Sequence, residues 1–194
     1  MTARSTPTGG LSRRAYLVTA TASGIAVLAG CLGEEPSVPD PVAIETEQSC
    51  DQCGMRITMH PGPVGQAYYL EDTPADLPDD REAGHARFCS SRCTYVYTLE
   101  HDPSPAGIYT TDYSAVDYQV QTDGGATVID AHFGAAAFAD VGEVTYVVDS
   151  EVEGAMGGSL IGFSESADAE SFSEEYGGDL VEHGDVTLEL VRAL

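Results

Sequence analysis

Five cysteines stand in the chain, and four fall into two close pairs, Cys50-Asp-Gln-Cys53 and, 35 residues on, Cys89-Ser-Ser-Arg-Cys93. A two-residue gap lets both sulfurs of one turn reach a single ion. Residues four apart, such as Cys89 and Cys93, share a face at a helix start. Gly54 frees the backbone to fold the first turn around such an ion. Three chemistries are open to this set: disulfides, natural outside the cytoplasm, a closed four-cysteine zinc staple, and a copper(I) site. Met55 follows Cys53 by two residues, then come Met59 and His60. Thioether beside thiolate suits a soft monovalent ion better than zinc. Met59 reads as core filling, and His60 as a ligand or a hydrogen-bond partner of one. His85 is a weaker candidate of the same kind, while His101, His132 and His183 read as surface or helix-end residues.

Short strands interrupted by two helices position these groups. Val42 to Thr46, Gly65 to Glu71 and Ala86 to Cys89 read as strands, with an acidic loop over Thr73 to Gly84. Ser90 or Ser91 caps a helix reaching about His101, with Val96 and Leu99 on its inward stripe, and Pro103 and Pro105 stop it. Ile108 to Tyr113, Ala115 to Gln121 and Ala126 to Ala131 follow as strands, with Asp123-Gly124-Gly125 a hairpin turn. Glu143 to Asp149 and Ser159 to Phe163 come next. A helix then opens at Ser164 or Ser166, carries Ala169, Phe172 and Tyr176 at helical spacing, and ends at Gly177-Gly178. Leu180 to His183 and Val186 to Val191 read as closing strands. A Met-bearing Gly-rich loop, a strand and an aromatic helix occur near Cys50 to Glu100 and again near Met156 to Gly178, which suggests two related half-domains. The expected fold class is α+β, a small mixed-sheet domain of two ββα-type half-units.

All eight cationic side chains are arginine, against 32 acids, for a net charge of −24. Nucleic acid is thereby a poor partner. Arg4, Arg13 and Arg14 lie among the first 30 residues, which hold no acid, so five arginines against 32 acids leave −27 beyond them. Such an excess repels itself except in molar salt, where screening lengths fall to about 3 Å, and the composition reads as halophilic.

Residues 1–30 read as a twin-arginine lipoprotein signal peptide: Ser12-Arg13-Arg14-Ala15-Tyr16-Leu17 precedes a weakly apolar stretch too short to span a bilayer. Leu28-Ala29-Gly30-Cys31 resembles a lipobox, which makes Cys31 the expected lipid attachment point. Residues 31–41, rich in Pro, Gly and acid, read as a lipid-anchored linker. The domain then occupies 42–194, with halves near 42–113 and 114–194. The expected location is the extracytoplasmic face of the cell membrane, lipid-anchored.

The run from Cys50 through Cys53, Gly54 and Met55 to His60-Pro-Gly-Pro-Val-Gly-Gln66 resembles the opening motif of the NosL family. Gly154-Ala-Met156-Gly-Gly-Ser-Leu-Ile161-Gly-Phe163 resembles that family's second hallmark. The two stand in order behind a lipobox, and the likeness covers nearly all of the chain beyond the signal. It implies a small mixed α/β fold of two ββα-type units and a membrane-tethered metallochaperone, not an enzyme. Such a protein holds Cu(I) for nitrous oxide reductase or its assembly machinery, and Cys53, Met55 and Met156 are the copper positions carried over. Two departures stand out. Gly158 occupies the place where some relatives have a ligand His, and Phe88-Cys89-Ser-Ser-Arg-Cys93 resembles the FCSxxC of small metal-sensing treble-clef domains. The four thiols, Cys50, Cys53, Cys89 and Cys93, therefore make a second centre or replace the usual one. A zinc- or disulfide-stapled, heavy-metal-binding lipoprotein serving another partner is the alternative. No GxSxG, P-loop or GxGxxG is present, and Cys50 to Cys53 does not open a helix as a thiol oxidoreductase would require.

Overall fold

A computed structural model describes residues 37–194; the twin-arginine segment, Cys31 and the start of the linker lie outside them. Strand β1 (Gly65–Tyr68) pairs antiparallel with β2 (His85–Phe88), Gly65 opposite Phe88 and Tyr68 opposite His85. Ser90 then caps helix α1 (Ser91–Glu100), its side chain accepting from the Cys93 N–H at 3.0 Å, so the residue that starts the helix also fixes the last cysteine. Strand β3 (Gly107–Thr111) returns along the free edge of β1.

A hairpin follows, β4 (Val120–Asp123) and β5 (Ala126–Ile129). Gly124 and Gly125 both have positive φ, as the tight hairpin turn demands. Strand β6 (Phe138–Asp140) goes back to the first sheet, giving the order β2-β1-β3-β6. The first sheet thus takes its fourth strand from beyond residue 113. After β7 (Thr145–Val148), β8 (Val152–Gly154) lies parallel to β5 and pairs with the short β9 (Gly157–Gly158), completing a sheet ordered β4-β5-β8-β9. Then β10 (Ile161–Phe163), helix α2 (Ser166–Tyr176) and β11 (Asp179–Glu182) surround β7 in the order β10-β7-β11. Helix α3 (Leu188–Ala193) closes the chain.

The fold is α+β, and the two ββα units are visible in it. In each, the first strand is central, a later strand lies on one side, a helix crosses, and the next strand returns on the other side, though in the second unit β8 and β9 of the other sheet intervene between β7 and β10. The two Met loops are not equivalent, because the first precedes β1 whereas the second lies between β7 and β10. Each helix is pinned by an aromatic contact on its own sheet. Tyr97 meets Phe88 at 5.2 Å between ring centres, and Phe172 meets Phe163 at 5.2 Å.

Several sequence expectations need correction. Val42 to Thr46 joins no sheet, because the Gln66 side chain takes both main-chain groups of Val42, at 3.2 and 2.8 Å, where a neighbouring strand would stand. The end of the linker is not free either: the Tyr109 and Tyr68 hydroxyls donate to the carbonyls of Pro39 and Asp40. Ala115 to Gln121 forms a strand only from Val120, since the Asp112 side chain accepts from Ser114 N–H and turns the chain first. Leu99 is 45% exposed rather than inward. The buried face of α1 carries Thr94, Tyr95, Tyr97 and Thr98, whose threonine hydroxyls bond back to carbonyls one turn earlier. Helix α2 does open at Ser166, with Glu165 before it making no side-chain cap bond. Val186 to Val191 is not a strand. Thr187 caps a helix there, and Leu190, Val191 and Leu194 pack at helical spacing into the group around Tyr95 and Tyr146.

Candidate metal centre

The turn from Cys50 to Met55 closes on itself, with Gly54 N–H donating to the Cys50 carbonyl and Cys50 N–H to the Met55 carbonyl, both at 2.8 Å. Gly54 sits at φ +76°, the left-handed region this turn requires. Asp51 docks the turn onto the outer edge of β2: its N–H donates to the Arg87 carbonyl at 2.9 Å, and its carboxylate accepts from Arg87 N–H at 2.8 Å and from the Arg81 guanidinium. Because β2 runs directly into Cys89 and the helix cap Ser90 is the next residue, this dock brings the two cysteine pairs together.

The four sulfurs of Cys50, Cys53, Cys89 and Cys93 lie within 4.8 Å of one another. Cys53 and Cys89 are 3.5 Å apart, Cys89 and Cys93 3.8 Å. A tetrahedral ion with metal–sulfur bonds of about 2.3 Å would set its sulfurs about 3.8 Å apart, so the donor set fits one ion. Cys50, Cys89 and Cys93 are buried and Cys53 is exposed.

A cleft of about 240 Å³ opens above the exposed sulfur, walled by Gln52, Cys53, Arg92, Cys93, Val96 and Met156. Three hydrogen bonds hold the loop of Met156 to Leu160 there across more than sixty residues of sequence. Arg92 Nη1 donates to the Met156 carbonyl at 3.2 Å. Deeper in, the Ser91 hydroxyl accepts from Leu160 N–H at 3.0 Å and meets the Ser159 hydroxyl at 2.9 Å, all of it buried. Ser91→Ala leaves the Leu160 N–H without an acceptor, and equilibrium unfolding should show a loss of about 1–3 kcal/mol. A variant as stable as the parent would mean that this link does not hold the Met156 loop.

The structure brings together Cys50, Cys53, Cys89, Cys93 and, at the mouth, Met156. Met55 is half-buried against the apolar group that includes Cys50, Cys89 and Cys93. His60 does not join them. It lines a separate cleft of about 400 Å³ with Met59, Pro61, Asp130 and Phe133. Met59, expected in the core, is 69% exposed. His85 is engaged with Gln66 at 2.8 Å and stacked on Tyr68. The sequence reading missed Asp51, Ser91 and Arg92, although all three lie inside the two cysteine motifs.

A NosL family model matches residues 41–191. The chain belongs to the NosL family. It is 30% identical over 170 residues to the copper-binding lipoprotein NosL of Stutzerimonas stutzeri, covering 85% of this chain and 76% of that protein. The crystal structure of the copper chaperone NosL from Shewanella denitrificans superposes with a TM-score of 0.60 at 28% identity, covering 78% of this chain and 99% of that one. Those relatives are a binding protein and a chaperone, and this NosL chain stands with them rather than among enzymes.

In this NosL-family centre the thiols titrate as a unit. Hydrogen bonds from the Cys89 and Cys93 thiols hold Cys50 well below the usual thiol range. The same bonds, seen from the donors, raise Cys89 and push Cys93 up to about 12, with burial adding to both. Cys89 and Cys93 therefore keep their protons at neutral pH until an ion displaces them. Ion binding must release at least these two protons, so affinity rises with pH. Chelator competition at pH 6 and 7 should show that drop toward acid, and a flat profile would mean that these two thiols are not ligands. Burial also lifts Asp51 to about 6, more than its Arg81 partner lowers it.

Proposed function

We propose that this chain is an exported, lipid-anchored copper(I) metallochaperone that assists copper-centre assembly in nitrous oxide reductase. The single observation that carries the reading is the convergence of four thiols with one sulfur, Cys53, left exposed beside Met156. Three buried thiolates withhold the ion from solvent, while an exposed thiolate with a thioether next to it permits stepwise ligand exchange. The names of the two relatives support copper as the cargo. The lipobox-like Leu28-Ala29-Gly30-Cys31 and the twin-arginine pattern support export to the outer face of the membrane and anchoring at Cys31. No helix among the described residues is long and apolar enough to cross a membrane. Cys31→Ala should release the protein into the medium on fractionation, and unchanged membrane association would refute the anchor.

One observation favours a second reading. Sulfur spacings close to a tetrahedral edge suit zinc held by four thiolates as a structural staple. Anaerobic Cu(I) titration of the reduced protein in high salt against a chromogenic copper chelator, with zinc measured on the same sample, separates the two. Tight Cu(I) binding weakened in Cys53→Ser and Met156→Leu supports the chaperone. One retained zinc with no competitive copper binding overturns it.

A further inference from the structure

Acids make up 32 of the 194 residues, yet the walls of the thiol cleft contain none. Arg56, Arg81 and Arg192 are each paired with a carboxylate, those of Glu47, Asp51 and Glu100. Arg92 has no such partner among the described residues, and its guanidinium donates to a neutral acceptor, the Met156 carbonyl. Arg87 is also unpaired with a carboxylate, but it lines a different cleft with His85. On a surface this acidic, an approaching acidic protein is repelled almost everywhere, and Arg92 is a local exception beside the exposed thiol.

The same lip is apolar. Arg92 and Val96, at positions i and i+4 of α1, wall the cleft together with Met156. Met156 is 38% exposed and Val96 is half-buried. A cation flanked by apolar side chains at the mouth of a metal site fits a partner that brings a carboxylate and an apolar anchor together. A carboxylate binds a guanidinium through charge-assisted, often bidentate bonds, which outcompete a single bond to a peptide carbonyl.

We propose that this lip is the docking site for a metal-accepting protein whose contact segment carries a carboxylate for Arg92 and an apolar side chain for Val96 and Met156. By drawing Arg92 off the Met156 carbonyl, the carboxylate frees the Met156 loop as transfer begins. The acceptor's thiolate then bonds to copper while the Cys53–copper bond breaks. The ion stays Cu(I), and the proton given up by the acceptor thiol passes to the departing Cys53 sulfur. This inference rests on the copper-chaperone reading above.

The test uses the full chain loaded with one Cu(I), in fixed molar salt, and two synthetic acceptor peptides. Both carry a Cys-x-x-Cys pair and one Leu, one flanked by Asp and the other by Lys. The loaded chain should transfer copper about tenfold faster to the Asp peptide, the scale of one charge-assisted contact. Arg92→Gln should erase that ratio, and Arg92→Asp should reverse it, with each variant first loaded with one Cu(I) and the ratio taken between the two peptides on the same loaded protein. Equal rates to both peptides from the parent, or a ratio preserved in Arg92→Gln, would overturn the docking site. A fall in Cu(I) affinity in Arg92→Gln with the ratio intact would also overturn it, making Arg92 a counter-charge to the thiolates. Failure of the parent to take up Cu(I) at all is read before any transfer and refutes the chaperone reading itself.

Discussion

Cys89→Ser should weaken metal binding by a few hundredfold to about a thousandfold, the largest effect expected of any single substitution at the centre. Thiolate zinc sites of this type are worth about 10–16 kcal/mol in all, so one ligand of four carries about 3–4 kcal/mol. Cys89 has no exposure and lies within 3.8 Å of Cys93 and 3.5 Å of Cys53, so water has no easy route to replace its sulfur. The serine hydroxyl is also a much poorer ligand for a soft ion. Cys53→Ser offers the contrast. Its sulfur is exposed, so solvent or a thioether can occupy the vacated coordination position. Chelator competition on the two variants should therefore place Cys89→Ser well below Cys53→Ser in affinity. Equal affinities for Cys89→Ser and the parent would show that the four thiols do not act as one donor set.

Phe88→Ala should cost about 3–5 kcal/mol of folding free energy, the usual toll for emptying a fully buried aromatic site. Phe88 has no exposure, meets Tyr97 at 5.2 Å between ring centres, and stands opposite Gly65 in the β1–β2 pair. That pocket cannot collapse readily, because a Cβ on Gly65 would come within 2.2 Å of the Thr94 hydroxyl: the strand and helix already touch there. The effect reaches the metal centre by the shortest route in the chain, since Cys89 is the next residue. Denaturant unfolding at constant high salt measures the loss. A change under about 1 kcal/mol would mean that α1 is not pinned to the first sheet through this ring.

The candidate metal centre was legible wherever its logic is local. A two-residue gap followed by Gly54 specifies a turn that brings two sulfurs to one spot, and Ser90 before Cys93 specifies a helix cap, so both halves of the donor set could be read from the chain. Val186 to Val191 misled because its β-branched residues favour a strand in isolation, whereas burial of Leu190, Val191 and Leu194 against α1 decides for a helix. His60 misled for a related reason. It follows Met59 and the first cysteine pair closely, but the short 3-10 turn Ile57–Met59 lies between them and His60 lines a different cleft.

The sequence by itself determined the identity of the thiols, their two local pairings, the alternation of strands and helices, the resemblance to NosL, and the charge of the surface. Each of these is set by residue type or by spacing within a turn or two. Only the tertiary structure decided that Cys53 alone among the four is exposed, that Met156 stands over it, that His60 is excluded, and that Arg92 guards the mouth without a carboxylate. Those facts, the last of them holding among the described residues, depend on Asp51 docking along β2 and on a buried serine pair joining α1 to the Met156 loop. Contacts of that kind span tens of residues, and their partners are chosen by which packing buries the core and satisfies its polar groups, a choice that no local spacing records.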